Sequence, residues 1–123
     1  MVTTVATIAV IEDDAGVRTA LRQLLRAAGF VALTFESAEE FLEAYRGQEV
    51  DCVVADVNLP GMSGVALLKA LAAAEVALPA VLITARDDPA TLELIRQAAP
   101  APHLRKPFSD DELFDAIDRA RRA

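Results

Sequence analysis

Four short stretches in this sequence, three of them apolar runs, each lead into a side chain that can do chemistry. Val5–Ile11 runs into Glu12, Asp13 and Asp14, and Cys52–Ala55 ends on Asp56. Ala80–Ile83 ends on Thr84 and Ala85, and His103–Arg105 is followed by Lys106 and Pro107. If these runs are parallel strands, their carboxyl ends share one edge of the sheet, so carboxylates, a hydroxyl and an amine meet there. Two carboxylates about 5 Å apart at an effective dielectric near 20 repel by roughly 3 kcal/mol. Such a cluster takes up a proton or binds a cation. Hard oxygen donors with room for water suit Mg2+, with Mn2+ as the alternative. A carboxylate held beside a divalent ion and an amine is a nucleophile suited to phosphorus, and a hydroxyl can bond an oxygen of the transferring group. Taken alone, Asp14 reads better as a helix cap than as a metal ligand, Thr84 as a strand end and Lys106 as a surface charge. Their common place at strand ends argues otherwise for Thr84 and Lys106.

The elements that must position these residues are legible as alternating periodicities. Cys52–Ala55 is a continuous apolar run, the mark of a strand buried on both faces, and the loop Pro60-Gly-Met-Ser-Gly64 breaks it. After the first acids, Val17, Leu21, Leu24, Leu25 and Ala28 recur at helical spacing, with Arg18, Arg22 and Arg26 off that face and Gly29 as the stop. Phe30–Phe35 reads as a strand. Ser37 and Glu40 form a capping box for a helix carrying Ala38, Phe41, Leu42 and Tyr45, ended at Gly47. Further helices are expected from Gly64 to Ala74, from the Asp88-Pro89 cap to Ala99, and after the Ser109/Glu112 capping box with Leu113, Phe114, Ile117 and Ala120 inward. Five strand–helix units in strict alternation imply an α/β fold. The expectation from alternation is a five-stranded parallel sheet covered by helices on both faces, with residues 1–123 as one domain.

Bulk properties narrow the class. The chain has 123 residues, is 54% hydrophobic and 25% charged, and carries a formal net charge of −7. That size suits one core, and an acidic surface argues against direct nucleic-acid binding by this segment. Cys52 is the one cysteine and lies in an apolar run, so it reads as a small core residue in a reducing compartment. The N-terminal apolar stretch lacks a basic region and is broken by threonines. No run approaches the roughly 20 apolar residues of a membrane span. A cytoplasmic protein with no membrane contact is expected.

Val10-Ile-Glu12-Asp13-Asp14-Ala-Gly-Val-Arg18, Asp56-Val-Asn58-Leu-Pro60-Gly-Met-Ser-Gly64, Thr84-Ala85 and Lys106-Pro107-Phe108 together resemble the response-regulator receiver (CheY-like) domain of two-component signalling. The similarity covers essentially the whole chain and implies a flavodoxin-like, doubly wound, five-stranded parallel sheet in the order 2-1-3-4-5. Ser37-Ala-Glu-Glu-Phe41-Leu and Ser63-Gly-Val-Ala-Leu-Leu68 are nearest to the FixJ-type branch. The resemblance implies that Asp56 accepts a phosphoryl group from the phosphohistidine of a sensor histidine kinase or phosphotransfer protein. It implies Asp13 and Asp56 as Mg2+ ligands, Glu12 acting chiefly through water, and Asn58 contributing its backbone carbonyl. Asn58, Thr84 and the Ala85 amide would contact the phosphoryl oxygens, Lys106 would pair with them, and Lys106–Pro107 would be cis.

The chain would then be a phosphorylation switch rather than a conventional enzyme, although it would assist its own phosphorylation and dephosphorylation. Its signal would pass through the fourth helix, fifth strand and fifth helix to an output domain or partner, and the same face could form a homodimer. Output itself is not expected within this segment. Two departures bear on that transmission. Ala99-Pro100-Ala101-Pro102 stands where a flexible Gly-Ala pair is common, and His103 stands where the switch residue is usually Tyr or Phe. His103 reads equally as a switch and as a partly buried strand residue. Arg86 would sit beside the phosphorylated site and shield it from water.

The alternative from another class is a Mg2+-dependent phosphatase of the haloacid-dehalogenase kind. It would need a second acid two positions after the nucleophile, and Asn58 occupies that place. A flavodoxin-like binding module would need a phosphate cradle at the first strand, where acids stand instead.

Overall fold

The structure, a computed structural model, describes residues 5–45 and 50–122. Five strands alternate with five helices: β1 (Thr7–Ile11), α1 (Ala15–Ala27), β2 (Val31–Phe35), α2 (Ala38–Ala44), β3 (Cys52–Asp56), α3 (Gly64–Ala73), β4 (Ala80–Thr84), α4 (Pro89–Gln97), β5 (His103–Arg105) and α5 (Asp110–Arg122). All strand pairs are parallel, as the alternation predicts, and the sheet order is β2-β1-β3-β4-β5, as the resemblance implied. β1 begins two residues later than the apolar run, at Thr7, and α4 ends at Gln97 rather than Ala99. The expected stop of α2 at Gly47 lies outside the described residues; Tyr45 caps the helix.

Every residue of β3 and β4 is buried, which accounts for their unbroken apolar sequences. Because side chains alternate across a sheet, Ile8, Val10, Val54, Val81 and Ile83 pack under α1 and α5 with Leu21, Leu25, Leu113 and Ile117. Ala9, Ile11, Val53 and Ala55 face the other way, against Phe41 of α2 and Leu67 and Leu71 of α3. Leu82 joins Val65 and Ile95 beneath α3 and α4. Cys52 lies in the first of these clusters as a core residue, and burial pushes its thiol up to about 12, far from reactivity.

Helix starts follow the capping chemistry. Asp14 accepts the Val17 N–H at 3.0 Å and so caps α1. Ser109 and Glu112 bond each other's backbone amides at 3.1 and 2.9 Å, a closed capping box. At Ser37 the box is shifted: the hydroxyl takes the Glu40 N–H, but the Glu40 carboxylate reaches Glu36. Ala28 is the C-cap of α1, and Gly29 follows it with φ +96°, a left-handed conformation that glycine adopts without penalty. Lys106–Pro107 is cis, as the resemblance implied, and so is Ala99–Pro100.

Candidate functional site

Strand register brings the chemical residues to one rim. Ile11 pairs with Ala55, Asp56 with Ile83, and Thr84 with Arg105, so Glu12, Asp56, Thr84 and Lys106 all emerge at the carboxyl edge of the sheet. The loop after β3 turns back tightly there. A Cβ at Gly64 would collide with the Asp56 backbone carbonyl, so only glycine lets α3 start this close to the site.

Carboxylate oxygens of Glu12, Asp13 and Asp56 lie within 4.8 Å of one another. Glu12 is 1% exposed and Asp56 7%, whereas Asp13 is open to solvent. Lys106 Nζ donates to Glu12 Oε1 at 2.5 Å and to Asp56 Oδ2 at 2.9 Å, bridging two carboxylates that would otherwise repel. Asp56 Oδ1 accepts the Asn58 N–H at 2.8 Å, and Glu12 Oε2 accepts that of Asp14 at 3.1 Å. Burial raises the Glu12 pKa above the usual carboxyl range, against the lowering effect of the Lys106 bond, and the Asp56 charge raises it further. Burial works against the charged form of Lys106 as well, but its bonds to Glu12 and Asp56 outweigh it and hold the amine above its ordinary value. Three oxygen donors and one cationic donor around a shared opening fit a hard divalent ion and an incoming oxyanion.

Thr84 is 2% exposed and stands beside this cluster, but its hydroxyl donates to Asn58 Oδ1 at 2.8 Å. Ala85 follows it in an exposed bend. Two expectations need correction. Arg86 does not cover Asp56: its guanidinium Nε donates to Asp88 at 2.9 Å and its side chain is 61% exposed. His103 is not partly buried. It is exposed because β5 is an edge strand with the pattern exposed–buried–exposed, and it pairs with Leu82, two positions before Thr84.

Three further residues brace the rim without having been singled out by sequence. Arg18 donates to the Glu12 carbonyl at 2.9 Å and, at 3.4 Å, to that of Asp13, holding the loop that carries both acids. Glu39 of α2 accepts the Met62 N–H at 3.0 Å, tying α2 to the loop after Asp56. Thr91 of α4, 1% exposed, accepts from Asn58 Nδ2 at 3.1 Å. A hydroxyl one turn into a capped helix was the available signal for Thr91. Arg18 was visible as a charge off the apolar face and as the end of the first motif, without an assigned role.

A parallel sheet in this order with acids, threonine and lysine at its carboxyl edge defines a receiver-type signalling domain. The response regulator receiver domain family matches residues 8–118, and the chain belongs to that family. It is 40% identical over 121 residues to the transcriptional regulatory protein FixJ of Bradyrhizobium diazoefficiens, covering 98% of this chain and 58% of that protein. It is 35% identical to the DNA-binding transcriptional regulator NtrC of Escherichia coli K12, over 90% of this chain and 24% of that protein. The crystal structure of FixJ-N superimposes with a TM-score of 0.87 at 30% identity, covering 98% of this chain and 96% of that one. The chain thus spans 58% and 24% of the two curated relatives. The FixJ-like branch accords with these likenesses, and the phosphatase alternative finds no support in them.

Proposed function

We propose that residues 1–123 act as one receiver unit in which Asp56 accepts a phosphoryl group from the phosphohistidine of a histidine kinase or phosphotransfer protein. A carboxylate oxygen of Asp56 attacks phosphorus, the P–N bond breaks, and its electron pair stays on the departing imidazole. The observation that carries this reading is the buried Asp56 carboxylate, bonded by Lys106 and gathered with Glu12 and Asp13. Glu12, Asp13, Asp56 and the Asn58 backbone carbonyl would hold Mg2+, which when bound neutralises charge on the phosphoryl oxygens. Lys106 already faces Asp56 and would follow the new charge, while Thr84 and the Ala85 amide would bond the phosphoryl oxygens. Phosphorylation adds a net charge of about −1.5 to −2 with three acceptors, which would rearrange Thr84 and Lys106 and bias the α4-β5-α5 surface. That surface would control an output domain or partner, or pair with a second copy, in the cytoplasm. Among the described residues no helix is long and apolar enough to cross a membrane.

Incubation with acetyl phosphate and Mg2+ should add one phosphoryl mass to the protein, and Asp56→Asn should abolish it. An unmodified wild type, or an equal mass gain in the variant, would sink the proposal.

A further inference from the structure

Thr84, Asn58, Thr91, Asp88 and Arg86 close a ring of hydrogen bonds joining the end of β4, the loop after β3 and the first turn of α4. Its direction is set at Asp88. That carboxylate has no proton to give at neutral pH, so Thr91 Oγ1 donates to it, at 2.8 Å. The Thr91 oxygen can then only accept, and it accepts a hydrogen bond from Asn58 Nδ2 at 3.1 Å. An amide that turns its NH2 toward Thr91 must turn its carbonyl toward Thr84, whose hydroxyl donates to it at 2.8 Å. The Arg86 N–H occupies the Thr84 oxygen at 3.0 Å, and the Arg86 Nε returns to Asp88 at 2.9 Å.

A hydroxyl has one proton. While the Thr84 proton is held by Asn58, it is not available to a phosphoryl oxygen. Were the Asn58 amide turned over, its NH2 would face Thr84 and the threonine proton would be left with only the more distant Arg86 carbonyl, at 3.3 Å, as an acceptor among its present partners. We infer that Thr91 is a positioning residue for Thr84: by fixing the orientation of the Asn58 amide, it holds the Thr84 hydroxyl in the resting arrangement and ties its release to the first turn of α4. This rests on Asp56 being the phosphoacceptor. Thr91 touches no reacting atom and acts only through Asn58.

The test compares Thr91→Val, which keeps the shape but removes the hydroxyl, with Thr91→Ser, which keeps the hydroxyl. Beryllofluoride with Mg2+ serves as the phosphoryl probe, titrated by NMR. Thr91→Val should bind it about three- to tenfold more tightly than wild type, the worth of one hydrogen bond lost from the resting state. Thr91→Ser should match wild type. The Asn58 side-chain amide signals should shift without ligand in the valine variant only. If valine does not fold, Thr91→Ala should change affinity in the same direction. Wild-type binding that depends on Asp56, with valine binding equal or weaker, or serine behaving like valine, would overturn the role of Thr91 alone. Failure of wild type to bind beryllofluoride would overturn the phosphoacceptor reading, and this inference with it.

Discussion

At the scale of the residue, the account turns on Lys106 standing between two buried carboxylates. Lys106→Ala would leave Glu12 and Asp56 facing each other unpaired, which should cost about 2–3 kcal/mol in denaturant unfolding near neutral pH. Glu12 carries an opposite expectation. Its folded pKa lies above the ordinary 4.5, so the folded state binds its proton more tightly than the unfolded chain does. Its contribution is therefore full below the unfolded value and is lost as pH rises through the folded one. Without divalent ions, Glu12→Gln should be more stable than wild type at pH 7, and the two should converge toward pH 4. Convergence at high pH instead would contradict the environment described for Glu12.

At the scale of the element, the strands and helices were readable because each combines a local signal with the right period. β4 (Ala80–Thr84) and β5 (His103–Arg105) match the strands expected from sequence residue for residue, since Pro79 precedes the first and Lys106-Pro107 ends the second. The Ser109/Glu112 box shows the same economy, and Ser109→Ala should destabilise the domain by about 1 kcal/mol in thermal unfolding. Side-chain bonds between elements were not readable in this way. Asn58 and Thr91 are 33 residues apart, and Glu39 and Met62 are 23 apart, and no periodicity reports such pairs. The exposure of His103 depended on β5 lying at the sheet edge, which is a property of strand order rather than of the local sequence. Gly64 is a case where element and site meet. Gly64→Ala would force α3 from the Asp56 carbonyl, and should cost about 1–3 kcal/mol while also weakening phosphorylation.

At the scale of the whole molecule, the doubly wound sheet places every polar group of the site on one rim and leaves the three apolar clusters to hold the fold. The order 2-1-3-4-5 sets β1 beside β3, so the acids after β1 and the Asp56 that ends β3 become neighbours despite more than 40 intervening residues. That adjacency is why the acids were recognisable as a site only once the topology was inferred. The sharpest test of it is chemical. An acyl phosphate on Asp56 would be reduced by borohydride to homoserine, which peptide mass spectrometry locates to a single position. After treatment with acetyl phosphate and Mg2+, homoserine should be found at position 56 alone, and not when Mg2+ is withheld. Homoserine at position 13, the longer 5-hydroxynorvaline at Glu12, or no reduced residue anywhere in the chain, would contradict the assignment of Asp56 as the phosphoacceptor.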